Sequence, residues 1–79
     1  MFPSTTKKYL ALPQLLTQLR KEQGLLQSEL AEKIKKPQSY VSKYERGERR
    51  LDVVEFIDIC QALNINPEET LRKFIEILD

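Results

Sequence analysis

The sequence has 79 residues, with no histidine and only one cysteine, Cys60. This composition excludes an intrachain disulfide, a zinc site of cysteine and histidine ligands, and a nucleophile activated by histidine. No glycine-rich loop that would cradle phosphates is present either. We therefore predict neither an enzyme nor a metal or cofactor. We interpret Cys60, which lies in an apolar helical pattern, as a buried structural thiol rather than a reactive one.

Long apolar runs are also absent. No stretch approaches the roughly 20 apolar residues that span a bilayer, and residues 1–12 lack the apolar core and cleavage site of a secretory signal. The composition, 41% hydrophobic and 32% charged, is that of a folded globular chain. We expect one cytoplasmic domain, whose small core would gain stability from a partner.

Charge is distributed unevenly, although the formal net charge is only +1. Residues 1–50 contain eleven Lys or Arg and five Asp or Glu, a net charge of +6, whereas residues 51–79 contain two and seven, a net charge of −5. The basic part predicts a surface that faces a polyanion, and the acidic part predicts a second surface that is directed away from the polyanion. The alternative is that both are ordinary solvated surfaces.

The stretch Gln27–Gly47 contains two short helical patterns separated by a tight turn. In the first pattern, Leu30, Ala31 and Ile34 share one helical stripe. Pro37 ends this pattern because proline lacks the N–H that a helix needs, and its fixed φ suits the first turn of another helix. We therefore predict a helix-turn-helix whose second helix begins at Pro37.

The second helix combines an apolar side with an exposed side. Val41 and Tyr44 lie three residues apart and are predicted to face the first helix. The other side carries amide, hydroxyl and cationic groups, namely Gln38, Ser39, Ser42, Lys43 and Arg46. Because no acid occurs in this helix before Glu45, the exposed side suits base edges and phosphates.

These residues resemble the helix-turn-helix DNA-binding domains of the Cro and lambda-repressor type. The resemblance extends from about Leu12 to about Phe74 and rests on Arg20, Gln27, Glu29-Leu30-Ala31, Val41-Ser42 and Glu45-Arg46-Gly47. It implies an all-α fold, a compact five-helix lambda-repressor-like domain, with the second motif helix in the DNA major groove. It also implies an ion pair between Arg20 and Glu45, with an Arg20–phosphate contact as the alternative.

The resemblance suggests a role for each polar residue of the motif. Gln27, at the start of the first motif helix, would hold a phosphate without reading sequence. Gln38 would bond adenine through N6 and N7, and Lys43 would reach guanine or a phosphate.

The remaining polar residues discriminate less between bases. Ser39 and Ser42 would contact a base, a phosphate or a thymine methyl group. Tyr40 would either contact phosphate or pack, and Arg46 would bind a phosphate. Each residue alone has an alternative as an ordinary solvated helix residue, so the prediction depends on their sharing one acid-free face.

Two positions depart from the family pattern. Leu26 replaces the usual Ser or Thr N-cap of the first motif helix, which removes a cap worth roughly 1 kcal/mol. Lys35 replaces the usual glycine of the turn, where a left-handed backbone costs other residues about 1 kcal/mol. The sequence therefore leaves open a shift of the second helix by one residue.

The segment before the motif divides into an arm and a helix. We predict a mobile arm over residues 1–11, with the helix-turn-helix domain over residues 12–79; the alternative is that Tyr9 and Leu10 pack on the domain and that a helical turn begins earlier. The first helix is predicted to begin near Pro13 and to end at Gly24, a residue suited to a left-handed C′ position. The arm would either reach DNA or have no role.

Two helices are predicted after the motif. Asp52 and Glu55 have capping-box spacing, and Asn66 is a suitable N-cap before Pro67. The predicted core stripes are Val53, Phe56, Ile57, Cys60 and Leu63 in one helix, and Leu71, Phe74, Ile75 and Leu78 in the other. Because a small domain cannot easily cover so many apolar side chains, we predict a homodimer through these helices. The alternative is that they complete the core of a monomer.

The sequence thus predicts a transcriptional regulator that binds a pseudo-palindromic operator in double-stranded DNA as a homodimer. Its short form resembles restriction-modification controller proteins most, and also phage repressors and some antitoxins. The alternative is a protein–protein interaction module, antitoxin-like or polymerase-contacting. In that case the apolar helices would bind a toxin or RNA polymerase, and DNA binding would be secondary.

Overall fold

The fold consists of helices and contains no strand within residues 3–79, which the computed structural model describes, with side chains described from Lys7 onward. The helices are α1 (Pro3–Glu22), α2 (Gln27–Lys33), α3 (Gln38–Glu45), α4 (Val53–Ala62) and α5 (Pro67–Leu78). They pack into a body of 33 × 26 × 22 Å. The predicted all-α, five-helix architecture is confirmed.

Helix α1 begins at Pro3 rather than near Pro13, so residues 3–11 of the predicted arm have a helical backbone. Met1 and Phe2 lie outside the described residues. Pro13 lies inside the helix instead of at its start. Because proline has no backbone N–H, Pro13 removes one hydrogen bond from the helix. The segment before Pro13 therefore needs other contacts to stabilise it.

Contacts with the loop after α3 hold the first part of α1 in place. The Arg50 guanidinium lies 4.0 Å from the centre of the Tyr9 ring. Leu10 packs so closely against Gly47 that a Cβ atom added at Gly47 would clash with the Leu10 side chain. These partners are distant in sequence, which explains why the local pattern placed the start of α1 too late.

Among residues 7–79, nine buried side chains from four helices and the start of the α4–α5 loop form the core. They are Leu16, Leu30, Ala31, Val41, Tyr44, Phe56, Ile59, Cys60 and Leu63. The predicted burial of Cys60 is confirmed, and burial raises the pKa of its thiol. The core therefore fixes the angle between α2 and α3, which contribute Leu30, Ala31, Val41 and Tyr44 to it.

The predicted core stripes of α4 and α5 were partly wrong. On α4, Val53 and Ile57 are exposed, whereas Ile59 is fully buried. On α5, Thr70 is buried, and three residues of the predicted stripe, Leu71, Ile75 and Leu78, are exposed. The reason is that each helix turns a narrow stripe to the core and leaves the neighbouring apolar residues outside.

The predicted caps of α4 and α5 are confirmed. Asp52 Oδ1 accepts from the Glu55 N–H over 2.8 Å, and Glu55 Oε1 accepts from the Asp52 N–H over 2.9 Å. Asn66 Oδ1 accepts from the N–H groups of Glu68 and Glu69 over 2.8 and 3.1 Å. Polar groups at these helix ends are therefore satisfied by residues close in sequence.

Candidate nucleic-acid interface

A tight turn sets α3 against α2. Lys35 has the predicted left-handed conformation, with a φ of 59°, and the Lys36 N–H bonds to the Ala31 carbonyl over 3.0 Å. Pro37 is the N-cap, so α3 begins at Gln38, one residue later than predicted. The turn closes without the usual glycine and brings α3 to the surface with one side against the core.

The start of α2 has only part of a cap. Leu26 offers no side-chain hydrogen bond, as predicted. Glu29 compensates in part, because its Oε1 accepts from the Leu26 N–H over 2.8 Å.

The exposed face of α3 carries the polar residues for which DNA contacts were predicted. Gln38, Ser39, Lys43 and Arg46 are exposed, and Ser42 is half-buried. At about 100° of rotation per residue, these five positions fall within an arc of about 140°. The opposite side, with Val41 and Tyr44, is fully buried. The structure thus brings the five residues together on one exposed face, and the carboxylate beside Arg46, that of Glu48, belongs to the loop after α3.

Tyr40 lies at the edge of this face and makes packing contacts. Its ring centre is 4.6 Å from the Arg49 guanidinium and 5.4 Å from Lys36 Nζ. The ring also meets that of Tyr44 edge to face, with centres 5.9 Å apart. Burial, and then the nearby Glu55 carboxylate, raise the pKa of Tyr40. Of its two predicted roles, the structure shows the packing contacts.

A buried ion pair ties α1 to the end of α3. Arg20 Nε donates to Glu45 Oε2 over 2.7 Å, and Nη2 donates to Oε1 over 3.0 Å. The two side chains are only 8% and 5% exposed. A third bond runs from Arg20 Nη1 to the Leu25 carbonyl over 2.6 Å. This bidentate pair holds α3 in a fixed orientation relative to α1.

Gln27 joins the same network, which the sequence did not predict. Its Nε2 donates to Glu45 Oε1 over 2.8 Å, although the residues are 18 positions apart. The amide carries two N–H donors, so one remains for the predicted phosphate contact. No local pattern signals this bond, because it depends on the angle between α2 and α3.

Arg46 forms an exposed ion pair rather than projecting alone. Its Nε lies 3.0 Å from Glu48 Oε2, and both side chains are 56% exposed. Hydrogen bonding and the charge of Arg46 lower the pKa of Glu48. Exposed pairs of this kind contribute little to stability, so a phosphate can replace Glu48 at small cost.

Arg49 and Glu55 form a second pair that sequence reasoning missed. Arg49 Nη2 lies 2.7 Å from Glu55 Oε2. Hydrogen bonding from Arg49, followed by that from the Asp52 N–H, lowers the pKa of Glu55 to about 2. Because Arg49 also lies over Tyr40, it links α3 to the first turn of α4.

Comparison with known proteins identifies the family. The helix-turn-helix family matches residues 16–70, more than half of the chain. The chain belongs to the helix-turn-helix family. The family is a class of DNA-binding transcription regulators and not a class of enzymes.

Solved structures similar to this helix-turn-helix protein include two above 30% identity. An XRE-family like protein from Pseudomonas syringae pv. tomato is 44% identical, with a TM-score of 0.84, over 90% of this chain and 87% of that one. The restriction-modification controller protein C.AhdI from Aeromonas hydrophila is 35% identical, with a TM-score of 0.73, over 78% and 94%. The resemblance to Cro and lambda-repressor-type domains, controller proteins included, is confirmed.

A more distant structure shares the fold. The controller protein C.Esp1396I, solved as a tetramer with its natural 35-base-pair operator, is 22% identical, with a TM-score of 0.82, over 90% of this chain and 93% of that one. No protein with a curated description matches the chain. Within residues 3–79, no helix combines the length and apolarity needed to cross a membrane.

Proposed function

We propose that this helix-turn-helix protein binds a pseudo-palindromic operator in double-stranded DNA as a homodimer, in the cytoplasm, and regulates transcription there. Because Glu45, the one acid of α3, is buried against Arg20, the observation that carries this proposal is the exposed face of α3. Its amide, hydroxyl and cationic groups lie within an arc that fits the floor and walls of a major groove. The buried Arg20–Glu45 pair supports it by presenting that face rigidly.

The residues divide into those that read bases and those that position the protein. Gln38, at the exposed start of α3, is proposed to bond adenine, and Lys43 to bond guanine or a phosphate. Arg46 exchanges its exposed Glu48 partner for a phosphate. Gln27 uses its second amide N–H for a phosphate while the first stays on Glu45.

Ser39 and Ser42 are proposed as weaker contacts. The Ser39 side chain is exposed. Ser42 Oγ donates to the Ser39 carbonyl over 3.2 Å, which leaves its oxygen able to accept. Tyr40 is proposed to act indirectly, by packing between α3 and α4.

The proposed dimer uses apolar side chains that the monomer leaves exposed on α4 and α5. They are Val53, Ile57, Leu71, Ile75 and Leu78. Ile75 is 52% exposed and Leu71 is 45% exposed, which is unfavourable unless a partner covers them. A two-fold dimer would present two α3 helices about 34 Å apart, to successive turns of one DNA face.

The proposal is tested by selecting bound duplexes from a randomised pool at two salt concentrations. Enrichment of a two-fold symmetric sequence with a steep salt dependence is expected. Retention without enrichment, or no retention, would contradict it. Such a result would favour the alternative in which the α4–α5 surface binds a toxin or a polymerase subunit.

Two variants then separate base reading from positioning. Gln38→Ala is expected to lose discrimination at one operator position by about 1–3 kcal/mol, with little change in nonspecific binding. Arg46→Ala is expected to weaken binding to all DNA sequences similarly. It should also reduce the slope of log affinity against log salt concentration by about one unit. Gln61→Ala and Arg72→Ala, exposed residues on α4 and α5, are the matched controls. Equal loss of specific and nonspecific binding in Gln38→Ala would show that Gln38 does not read a base.

A further inference from the structure

A cavity of about 470 Å³ lies between α1, the loop after α3, and α5. Most of its wall is apolar and comes from Tyr9, Leu10, Leu12, Pro13, Leu51 and Phe74. Its volume falls in the range of about 300–1,000 Å³ that is typical of small-molecule sites. The proposed contacts with DNA and with a second protomer leave this cavity unexplained.

Tyr44, a residue of the cavity lining, has a buried hydroxyl that lacks a partner among residues 7–79. Tyr44 lines the cavity, and its side chain is fully buried. Within the part of the chain that the structure describes, the Tyr44 hydroxyl has no hydrogen-bond partner. Burial, and then the charge of Glu45, raise the pKa of Tyr44, so the group is a neutral donor. Buried hydroxyls in native proteins are nearly always bonded, but less than 1 Å² of this one is accessible to solvent, so the ligand contacts lie in the open part of the cavity.

The mouth of the cavity is cationic. Lys8, Arg49 and Arg50 contribute to it, and no Asp or Glu does so among residues 7–79. Arg49 is already paired with Glu55, but Arg50 has no carboxylate within salt-bridge distance among those same residues. An apolar cavity with a cationic mouth is complementary to a molecule with an apolar body and one negative end.

We propose that this cavity binds a small amphipathic monocarboxylate. Its apolar chain or ring fills the space between Leu10, Leu51 and Phe74. Its carboxylate lies at the mouth beside Arg50 and Lys8.

The site lies next to the end of α3, since Tyr44 belongs to its last turn and Gly47 lines the same cavity. Occupancy would therefore be coupled to the orientation of α3. By thermodynamic reciprocity, DNA would then change the affinity for the carboxylate by the same factor. This coupling rests on the proposed DNA-binding function, whereas the binding site itself does not.

The site is tested by titrating the full-length chain with decanoate, below its micelle-forming concentration, while recording backbone amide shifts by NMR. Saturable shifts are expected at Leu10, Gly47 and Leu51. A parallel titration with 1-naphthoate distinguishes an aliphatic from an aromatic ligand, and saturable binding of either acid at these residues supports the site. Decanol, which has the same chain without the charge, is expected to bind at least about tenfold more weakly.

Variants of the mouth and wall make the test specific. Arg50→Gln is expected to weaken binding of the acid about tenfold, whereas Arg50→Lys retains most of it and the control Arg72→Gln changes nothing. Tyr44→Phe leaves the packing intact and removes a hydroxyl that the ligand does not contact, so it is expected to leave the affinity unchanged. Three results would each overturn the proposal: no saturable shift with either acid, equal affinity for decanoate and decanol, or shifts confined to the exposed face around Ile75. Because no DNA is present, failure here leaves the proposed function standing.

Discussion

Replacing Arg20 by methionine is expected to destabilise the fold more than any surface substitution. Glu45 accepts two hydrogen bonds from Arg20 and one from Gln27, and its side chain is 5% exposed. Arg20→Met removes two of these bonds, leaves a buried carboxylate without a counter-charge, and removes the donor to the Leu25 carbonyl. Breaking a buried pair in this way costs roughly 3–5 kcal/mol.

This loss is large relative to the stability of a chain of 79 residues. At about 0.05–0.15 kcal/mol per residue, the whole domain is stable by about 4–12 kcal/mol. With a urea m-value of about 1 kcal/mol/M, the unfolding midpoint should fall by about 3 M or more. The assay is urea unfolding monitored by circular dichroism, at one fixed protein concentration because dimerisation would contribute to stability.

Arg46→Met is the matched control, because it breaks an ion pair whose side chains are both 56% exposed. It should change the midpoint by less than about 1 M, as expected for exposed pairs. The double variant Arg20→Met/Glu45→Met removes both charges and should recover most of the lost stability. If Arg20→Met cost no more than Arg46→Met, the inference that the pair is buried and stabilises α3 would be refuted.

Three further predictions concern an exposed apolar residue of α5, the carboxyl group of Glu55 and the two glycines. Ile75→Glu should shift sedimentation from dimer to monomer, whereas Lys73→Glu, about 160° around α5, should not. The pKa of Glu55, held at about 2 by its guanidinium partner, is lower than its ordinary value. The pair of Arg49 and Glu55 therefore stabilises the fold above pH 4.5, and this stabilisation is lost as the pH falls toward 2. The urea unfolding midpoint of Glu55→Gln should lack this pH dependence. Gly24 and Gly47 both have positive φ, but only at Gly47 would a Cβ clash. In thermal unfolding, Gly47→Ala should therefore lower the melting temperature more than Gly24→Ala, which costs about 1 kcal/mol; equal losses would contradict the clash.

The sequence alone determined the local elements and the face of α3. The caps at Asp52 and Asn66 and the two motif helices depend on residues within a few positions of one another, whereas the left-handed Lys35 was predicted only from the resemblance to the family. Propensity and helical periodicity act over that distance, so these features follow from reading the chain. The ion pair between Arg20 and Glu45 was found only through the resemblance, since 25 residues separate its partners.

Tertiary structure alone decided the features that depend on how helices lie against one another. The early start of α1 depends on the contacts of Tyr9 and Leu10 with the loop after α3. The bond from Gln27 to Glu45 depends on the angle between α2 and α3. The cavity beside Tyr44 exists because segments far apart in sequence meet without filling the space between them. Local patterns fix which side of a helix is apolar, but only packing decides what each side meets and what it leaves open.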